Sequence, residues 1–354
     1  MGLLVVAGAS ALGAGELVVR WLAPQDAQLQ SRGMFVRDRA AGYRLASDYT
    51  GWESNRVEYR VAVRTDALGM RVAAGARPPA AGRARVLVLG DSFVFGQGVE
   101  AQDAWPAVLE RALADSGDSV AVLNAGVPGY SNLDEVAWLR AYGLSQRPRT
   151  VVLGVFLGND IQDNGTPALR RLSFVSVPPP RWSTAPGRWL YEHSELYDLL
   201  RGYAGRRGPA PPVDGMGAAT ARAVRPYRVL DDSARRAELA GTAAAVAEFD
   251  SLVRAARVEP LAVLIPDAGV VERWRQASVL RGVPPQVAVD FEYPNKVFDS
   301  LFAAHGIPCH DLTPAIRAAA AAGEQLYFRR DRHLNTRGNR LVGTLVAALL
   351  RRRG

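Results

Sequence analysis

The stretch "RVLVLGDSFVFGQGV", residues 85–99, decides how the chain is read. An aliphatic run, Val86 to Leu89, stops at Gly90-Asp91-Ser92, and two more glycines follow at 96 and 98. An apolar run that does not alternate with polar residues suits a strand covered on both faces. Such a strand ending in a small, acidic, hydroxyl-bearing triplet is either a tight turn or the presentation of Ser92 as a nucleophile. The second reading obliges the rest of the chain to supply a base and donors for an oxyanion.

Further along, strand and helix patterns alternate. "SVAVLNAG" (119–126), "TVVLGVFLGND" (150–160), "PLAVLIP" (260–266) and "IPCHDL" (307–312) read as apolar strands. Helical patterns cover 101–117, 131–145, 232–257, 294–306 and 335–353, and Ser131 with Asp134 three positions on forms a capping box. This predicts an α/β fold, a doubly wound and mainly parallel five-stranded sheet with helices on both faces. Residues 161–230 break the alternation with Pro, Gly and Arg and read as an insertion carried on the domain. Before the first strand, "VEYRVAVRTDALGMR" (57–71) predicts a short β-ribbon and 73–84 a Pro/Gly/Ala linker. The expected units are therefore 1–23, 24–84 and 85–354, the last carrying the insertion.

With 354 residues, 48% hydrophobic and 22% charged, the chain can bury a large core. Its net charge is +8, but Lys296 is the sole lysine and the arginines are scattered. No basic stripe with interleaved aromatics appears, so nucleic acid is not an expected partner. Arg351-Arg352-Arg353 reads as a solvated helix end, with attraction to an anionic membrane surface as the alternative. Cys309 is alone in an apolar run and reads as a buried, inert thiol. The four histidines show no metal-ligand spacing, and neither a metal nor another cofactor is expected.

The amino terminus, "MGLLVVAGASALGAGELVVRWLAP", departs from a globular pattern. As a helix, Leu3 to Leu22 is long enough to cross a bilayer core of roughly 30 Å. Glu16 and Arg20 stand four apart and can pair near an interface. Ala9-Ser10-Ala11 has the form of a signal-cleavage site but falls early in the apolar run. A membrane anchor is expected, with a cleaved signal as the rival. Arg20, Arg32, Arg37 and Arg39 follow the apolar run, so the charge rule alone puts the body in the cytoplasm.

Ligands of an open parallel sheet bind beyond the carboxyl ends of its strands. Four clusters fall at such ends or at an equivalent loop: Gly90 to Ser92, Asn124 to Gly129, Gly158 to Asp160, and Asp331 to Asn335. Each is weak alone. Together they contain a hydroxyl, an imidazole, a carboxylate and amide donors.

Four blocks in this order, "LVLGDSFVFGQGV", "NAGVPGYS", "FLGND" and "DRHLNTRG", resemble those of the SGNH (GDSL-like) hydrolase family, in its membrane-anchored bacterial form. "AWPAVLERAL" (104–113) is similar to family members too, and the resemblance covers 85–165 and 255–350. It implies a flavodoxin-like sheet with Ser92 as nucleophile and His333 as base and then acid. Asp331 would orient the imidazole, and the Ser92 and Gly129 amides with the Asn159 side chain would form the oxyanion hole. The best-known family pattern is Asp-x-x-His whereas this chain has Asp-x-His, so Asp311 stands as a second candidate partner, and Gly126 as a rival to Gly129. Asp91 and Asp160 read as loop-entry residues, His193, His305 and His310 as structural. Trp105 and the group Trp182, Trp189 and Tyr191 read as core or insertion packing, with an acyl or sugar site as the alternative.

The implied activity is serine ester hydrolysis through an acyl-serine, on an acyl ester of cell-surface carbohydrate or lipid. The catalytic domain would lie on the periplasmic or extracytoplasmic side; this rests on family analogy. An O-acyltransferase using the same acyl-enzyme, a lipid esterase or thioesterase, and a catalytically silent binding module are the alternatives.

Overall fold

A computed structural model describes residues 2–23, 25, 28–76, 78–80, 82–165, 185–204, 216, 218–229 and 232–353. Its strands are β1 (Leu29–Gln30), β2 (Phe35–Asp38), β3 (Gly42–Leu45), β4 (Thr50–Ser54), β5 (Arg60–Arg64), β6 (Ala84–Gly90), β7 (Val120–Gly126), β8 (Thr150–Phe156), β9 (Glu259–Ile265) and β10 (Cys309–Asp311). The last five form one sheet in the order β10-β9-β8-β6-β7, parallel throughout. β6, the strand of the opening motif, therefore lies between β7 and β8, where the order of connection reverses.

The unbroken apolar strands are explained by burial on two sides. Leu87 and Leu89 of β6 enter one core with Leu153, Leu264 and Phe249, while Val86 and Val88 enter the other with Trp105, Val342 and Val346. Helix Trp105–Ala114 and the amphipathic helix Thr336–Arg351 cover the second face, and Asp232–Ala256 contributes to the first. The predicted helix over 101–117 is divided, a short 3-10 turn Ala101–Asp103 preceding the α-helix. Pro106 accounts for the break, since it lacks the N–H to continue a helix but suits its first turn.

Gly90 stands in register with Gly126 on one neighbour and Gly154 on the other. A methyl group at Gly90 would run into Val94, one at Gly126 into the Phe95 backbone, and one at Gly154 would sit 2.6 Å from Val94 Cγ2. Three residues without side chains thus let the short helix Ser92–Phe95 rest directly on the sheet.

The amino-terminal ribbon is larger than the sequence pattern suggested. β1, β4 and β5 make an antiparallel sheet, β2 and β3 a hairpin, and Tyr43, Leu45, Val63 and Met70 join the core of the main sheet. The buried Arg71 donates to Phe95 O at 2.8 Å, Gly96 O at 2.6 Å and Val99 O at 2.6 Å. Glu53 Oε1 accepts from Gly98 N at 2.8 Å. The ribbon thereby grips the loop that follows Ser92.

The helix Gly2–Leu22 is long and apolar enough to cross a membrane, and Leu3, Leu12, Leu17 and Trp21 are exposed on it. A membrane anchor and a signal sequence both fit that description. Glu16 pairs with Arg20 at 2.7 Å as the spacing predicts. It also accepts from Ser194 Oγ at 2.7 Å, Glu195 N at 2.9 Å and Leu196 N at 3.0 Å, so it caps helix Glu195–Ala204 of the inserted region.

Behind the loop that carries Ser92, Asn132 Nδ2 donates to Glu135 Oε2 at 3.1 Å and to Asp160 Oδ2 at 3.0 Å, all three side chains being buried. Burial, reinforced by the charge of Asp91, pushes the Glu135 carboxyl up to about 8. The folded chain holds this proton more tightly than the unfolded chain does, so stability falls as pH rises from the ordinary carboxylate range towards about 8. Glu135→Gln is expected to flatten that fall, read as the difference between melting temperatures at about pH 5 and about pH 8. Gly126→Ala is expected to lower unfolding free energy by about 1–3 kcal/mol in urea titrations, because the added methyl displaces the Phe95 backbone.

Candidate active site

Ser92 opens the short helix at the carboxyl end of β6 and is 9% exposed. Asp91 caps that helix, its side chain accepting from Phe93 N at 2.8 Å. The Ser92 carbonyl accepts from Gly96 N and Gln97 N, both at 3.0 Å, and Gly96 turns the chain away with φ of 82°. Few residues but glycine adopt that angle without strain.

His333 arrives from the other end of the chain. Phe328 N donates to the His333 carbonyl at 2.9 Å, and Arg275 Nη2 donates to the carbonyls of Phe328 at 3.1 Å and Arg329 at 2.7 Å. Asn335 then caps helix Thr336–Arg351, accepting from Arg337 N at 2.9 Å and Gly338 N at 3.1 Å. In this loop His333 Nε2 lies 2.8 Å from Ser92 Oγ, and His333 Nδ1 is hydrogen-bonded to Asp331 Oδ1. The side chains of His333 and Asp331 are 14% and 3% exposed.

Arg332 explains how acid and imidazole can meet with one residue between them. Its φ of 75° is in the left-handed region, and across it the Asp331 and His333 side chains meet. That conformation is costly for a residue with a side chain. It is held by Arg332 Nη2, which donates to both Asp267 oxygens at 2.7 and 2.9 Å.

Electrostatics fix the protons. Burial works to raise the Asp331 carboxyl, but the neighbouring His333 and its hydrogen bonds overcome this and hold it below the ordinary value. Burial also works to lower His333, yet Asp331, with smaller contributions from Asp91 and Glu53, raises it overall. An ionised Asp331 accepts but cannot donate, so the imidazole proton sits on Nδ1 and Nε2 is the acceptor facing the Ser92 hydroxyl.

Gly129 and Asn159 lie on the loops after β7 and β8, the strands flanking β6, and so on either side of Ser92. Gly129 has φ of 80°, and Asn159 Nδ2 donates one of its two hydrogens to Asp163 Oδ2 at 2.8 Å. Burial pushes the Asp163 carboxyl up to about 6, with Arg225 and Asn159 acting against it. The Gly126 amide donates to Asn124 Oδ1 at 3.0 Å and is thus engaged elsewhere. Asp311 is engaged as well, accepting from Asn295 Nδ2 and Thr313 N, both at 2.8 Å, on the outermost strand. Of the two candidate acids, Asp331 is the one bonded to His333.

Asp160 accepts from Phe156 N at 2.9 Å, the loop-entry role expected for it and for Asp91. His193 bonds to Trp189 O at 2.9 Å and His305 to Asp250 at 3.1 Å, both away from Ser92, and His310 lies on β10. Trp105 is fully buried in the core, Tyr191 packs between Arg56 and Arg201, and Trp182 lies outside the described residues. The Cys309 thiol is pushed up to about 12 by burial. Among the described residues no group of three or more His, Cys, Asp or Glu could hold a metal ion. A groove of about 1400 Å³ runs between 270–276 and 314–329, but Ser92, His333 and Asp331 do not line it.

Arg332, Asp163 and Tyr59, whose hydroxyl donates to Asp331 Oδ2 at 2.8 Å, are site neighbours that the sequence reading passed over. For Asp163 a signal existed: it stands four residues after Asn159, one helical turn on.

A family model described as the GDSL-like Lipase/Acylhydrolase family matches residues 88–341. Esterase TesA of Pseudomonas aeruginosa is 32% identical over 92 residues, which are 26% of this chain and 45% of that protein. The chain thus matches just under half the length of this curated relative. Among solved structures, one of TesA is 18% identical with a TM-score of 0.41, covering 75% of this chain and 97% of that one. A lipolytic protein of the G-D-S-L family from Desulfitobacterium hafniense DCB-2 is 15% identical with a TM-score of 0.41, at 75% and 99% coverage. The acetyl xylan esterase AlAXEase is 16% identical with a TM-score of 0.39, also at 75% and 99%.

The His333 imidazole is expected to titrate above the ordinary histidine value when followed by NMR. Asp331→Asn removes the charge that raises it and is expected to bring the titration down.

Proposed function

The chain belongs to the GDSL-like lipase/acylhydrolase family, and from that premise we propose that it is a serine ester hydrolase working through an acyl-serine intermediate. The observation that carries this is the line of contacts from Asp331 through His333 to Ser92 Oγ, 2.8 Å from Nε2. An alcohol at neutral pH is a poor nucleophile until a base receives its proton. Here Nε2 takes the Ser92 proton as Oγ bonds to the ester carbonyl carbon. The imidazolium so formed is stabilised by the Asp331 carboxylate, which stays ionised. The carbonyl oxygen becomes an oxyanion, and the Ser92 and Gly129 amides with the second Asn159 N–H are its proposed donors. When the ester C–O bond breaks, the alcohol leaves with the proton from Nε2. Water then attacks the acyl-serine, giving its proton to Nε2; Oγ takes that proton as the acid departs.

The proposed substrates are acyl esters of cell-surface carbohydrate or lipid. Support comes from the apolar helix Gly2–Leu22, read as an anchor, and from its docking on the inserted region through Glu16. The catalytic domain is proposed to lie on the periplasmic or extracytoplasmic side by family analogy, against the charge rule taken alone. As a domain reading, residues 85–354 carry the hydrolase, with 161–230 as an insertion.

A fluorophosphonate probe is expected to label the wild type and not Ser92→Ala; a folded wild type that resists labelling overturns the proposal. His333→Ala is expected to cut turnover of p-nitrophenyl acetate by about 10³-fold or more, with the melting temperature retained. Because the base must be neutral, kcat/KM is expected to rise with pH through an apparent pKa above the ordinary histidine value.

A further inference from the structure

We propose that Tyr59 is a positioning residue of this site, holding the Asp331 carboxylate in line with His333 from the amino-terminal ribbon; the inference rests on the hydrolase reading above. The two oxygens of Asp331 are divided between partners. Oδ1 is bonded to His333 Nδ1 and accepts from His333 N at 3.3 Å, while Oδ2 accepts from Tyr59 Oη at 2.8 Å. A carboxylate bonded at one oxygen only can swing about its terminal torsion, which is broad and roughly two-fold. A donor on the second oxygen removes that freedom.

The phenol is itself held. Its ring lies against Phe328, centroids 5.2 Å apart, and Gln97 Nε2 donates to its oxygen at 3.4 Å. A methyl group at Gly98 would come within 2.7 Å of Phe328 and 2.9 Å of Tyr59, so the ring is wedged between the nucleophile loop and the acid loop. The turn that presents it is closed by Asn55 Oδ1, which accepts from the amides of Val57 at 3.2 Å, Glu58 at 2.7 Å and Tyr59 at 3.1 Å. Glu58, from the same turn, accepts from Asp331 N at 2.9 Å and Arg330 N at 3.1 Å. One turn between β4 and β5 thus fixes both the backbone and the carboxylate of the acid. On the turn's other side, Arg56 is paired with Asp198 at 3.0 Å, which ties the inserted region to the same point.

The need for an outside donor follows from the Asp-x-His spacing. With a left-handed Arg332 between them, the carboxylate can reach the His333 amide only at 3.3 Å. The ribbon supplies the stronger second bond. By this reading residues 28–72 are part of the catalytic unit rather than a spacer before it.

The test is Tyr59→Phe in the full-length chain, which keeps the ring against Phe328 and removes only the hydroxyl. The expected result is a kcat about tenfold lower, as for loss of one bond to a charged acceptor, with KM within about twofold. The acid limb of the kcat/KM profile is expected to move to higher pH, because a carboxylate stripped of a donor holds the imidazolium proton more tightly. A kcat within about twofold of wild type, or a limb that does not move while kcat falls with the melting temperature, overturns the proposal. Ser92→Ala assayed in parallel separates the two readings, since turnover surviving there refutes the hydrolase alone. The His333 titration followed by NMR with and without the Tyr59 hydroxyl needs no turnover: an upward shift supports the Tyr59 role whatever the reaction, and no shift refutes it.

Discussion

The close seat of helix Ser92–Phe95 on three glycines abreast is the constraint on which the site depends. Gly90, Gly126 and Gly154 occupy neighbouring strands at one level, and side chains at any of them would lift the helix from the sheet. Because the helix cannot rise, Ser92 is fixed at the edge of the central strand, with the loops after β7 and β8 on either side. The imidazole must then come from elsewhere in the chain to meet it. The last loop does this, anchored by Arg275 on one side and by the cap of the final helix on the other. Sheet packing and site geometry are one arrangement here, not two.

Four of the five strands, β6 to β9, were legible because burial on both faces leaves a continuous apolar signature. On the edge strand β10, by contrast, none of Cys309, His310 and Asp311 is buried. Ser92, Asp331 and His333 stood out through the resemblance of four ordered blocks to one family, no block being specific alone, and the structure brings their side chains into contact. What the sequence hid was mostly non-local. Tyr59 meets Asp331 across 272 positions, and a tyrosine at the start of an alternating strand looks like ordinary ribbon. The left-handed Arg332 was hidden for a different reason: nothing in an arginine signals that conformation, and its Asp267 partner lies 65 positions away. The ribbon itself was underestimated because strands of two to five residues have too little pattern to stand out.

The buried acids behind Ser92 show how much polar chemistry the fold tolerates. Asp91, Glu135 and Asp160 are all nearly inaccessible, and burial raises all three carboxyls. Asn132 bridges Glu135 and Asp160 and accepts in turn from Asn164 Nδ2 at 3.2 Å, while the Asp91 side chain accepts from Phe93 N. Such networks cost stability and gain definition of shape. Beneath a loop that must hold Ser92 to a fraction of an ångström, definition is what the position requires.

Glu16 gives the amino-terminal helix a fixed draught. Its carboxylate receives Ser194, Glu195 and Leu196 as well as Arg20, and it stands less than two turns from the end of an otherwise apolar cylinder. In a bilayer, pulling that carboxylate into hydrocarbon would strip it of these donors and leave the first turn of helix Glu195–Ala204 bare. With this helix as the proposed anchor, the chain would carry its own waterline, and the inserted helices would float at the height this one acid allows.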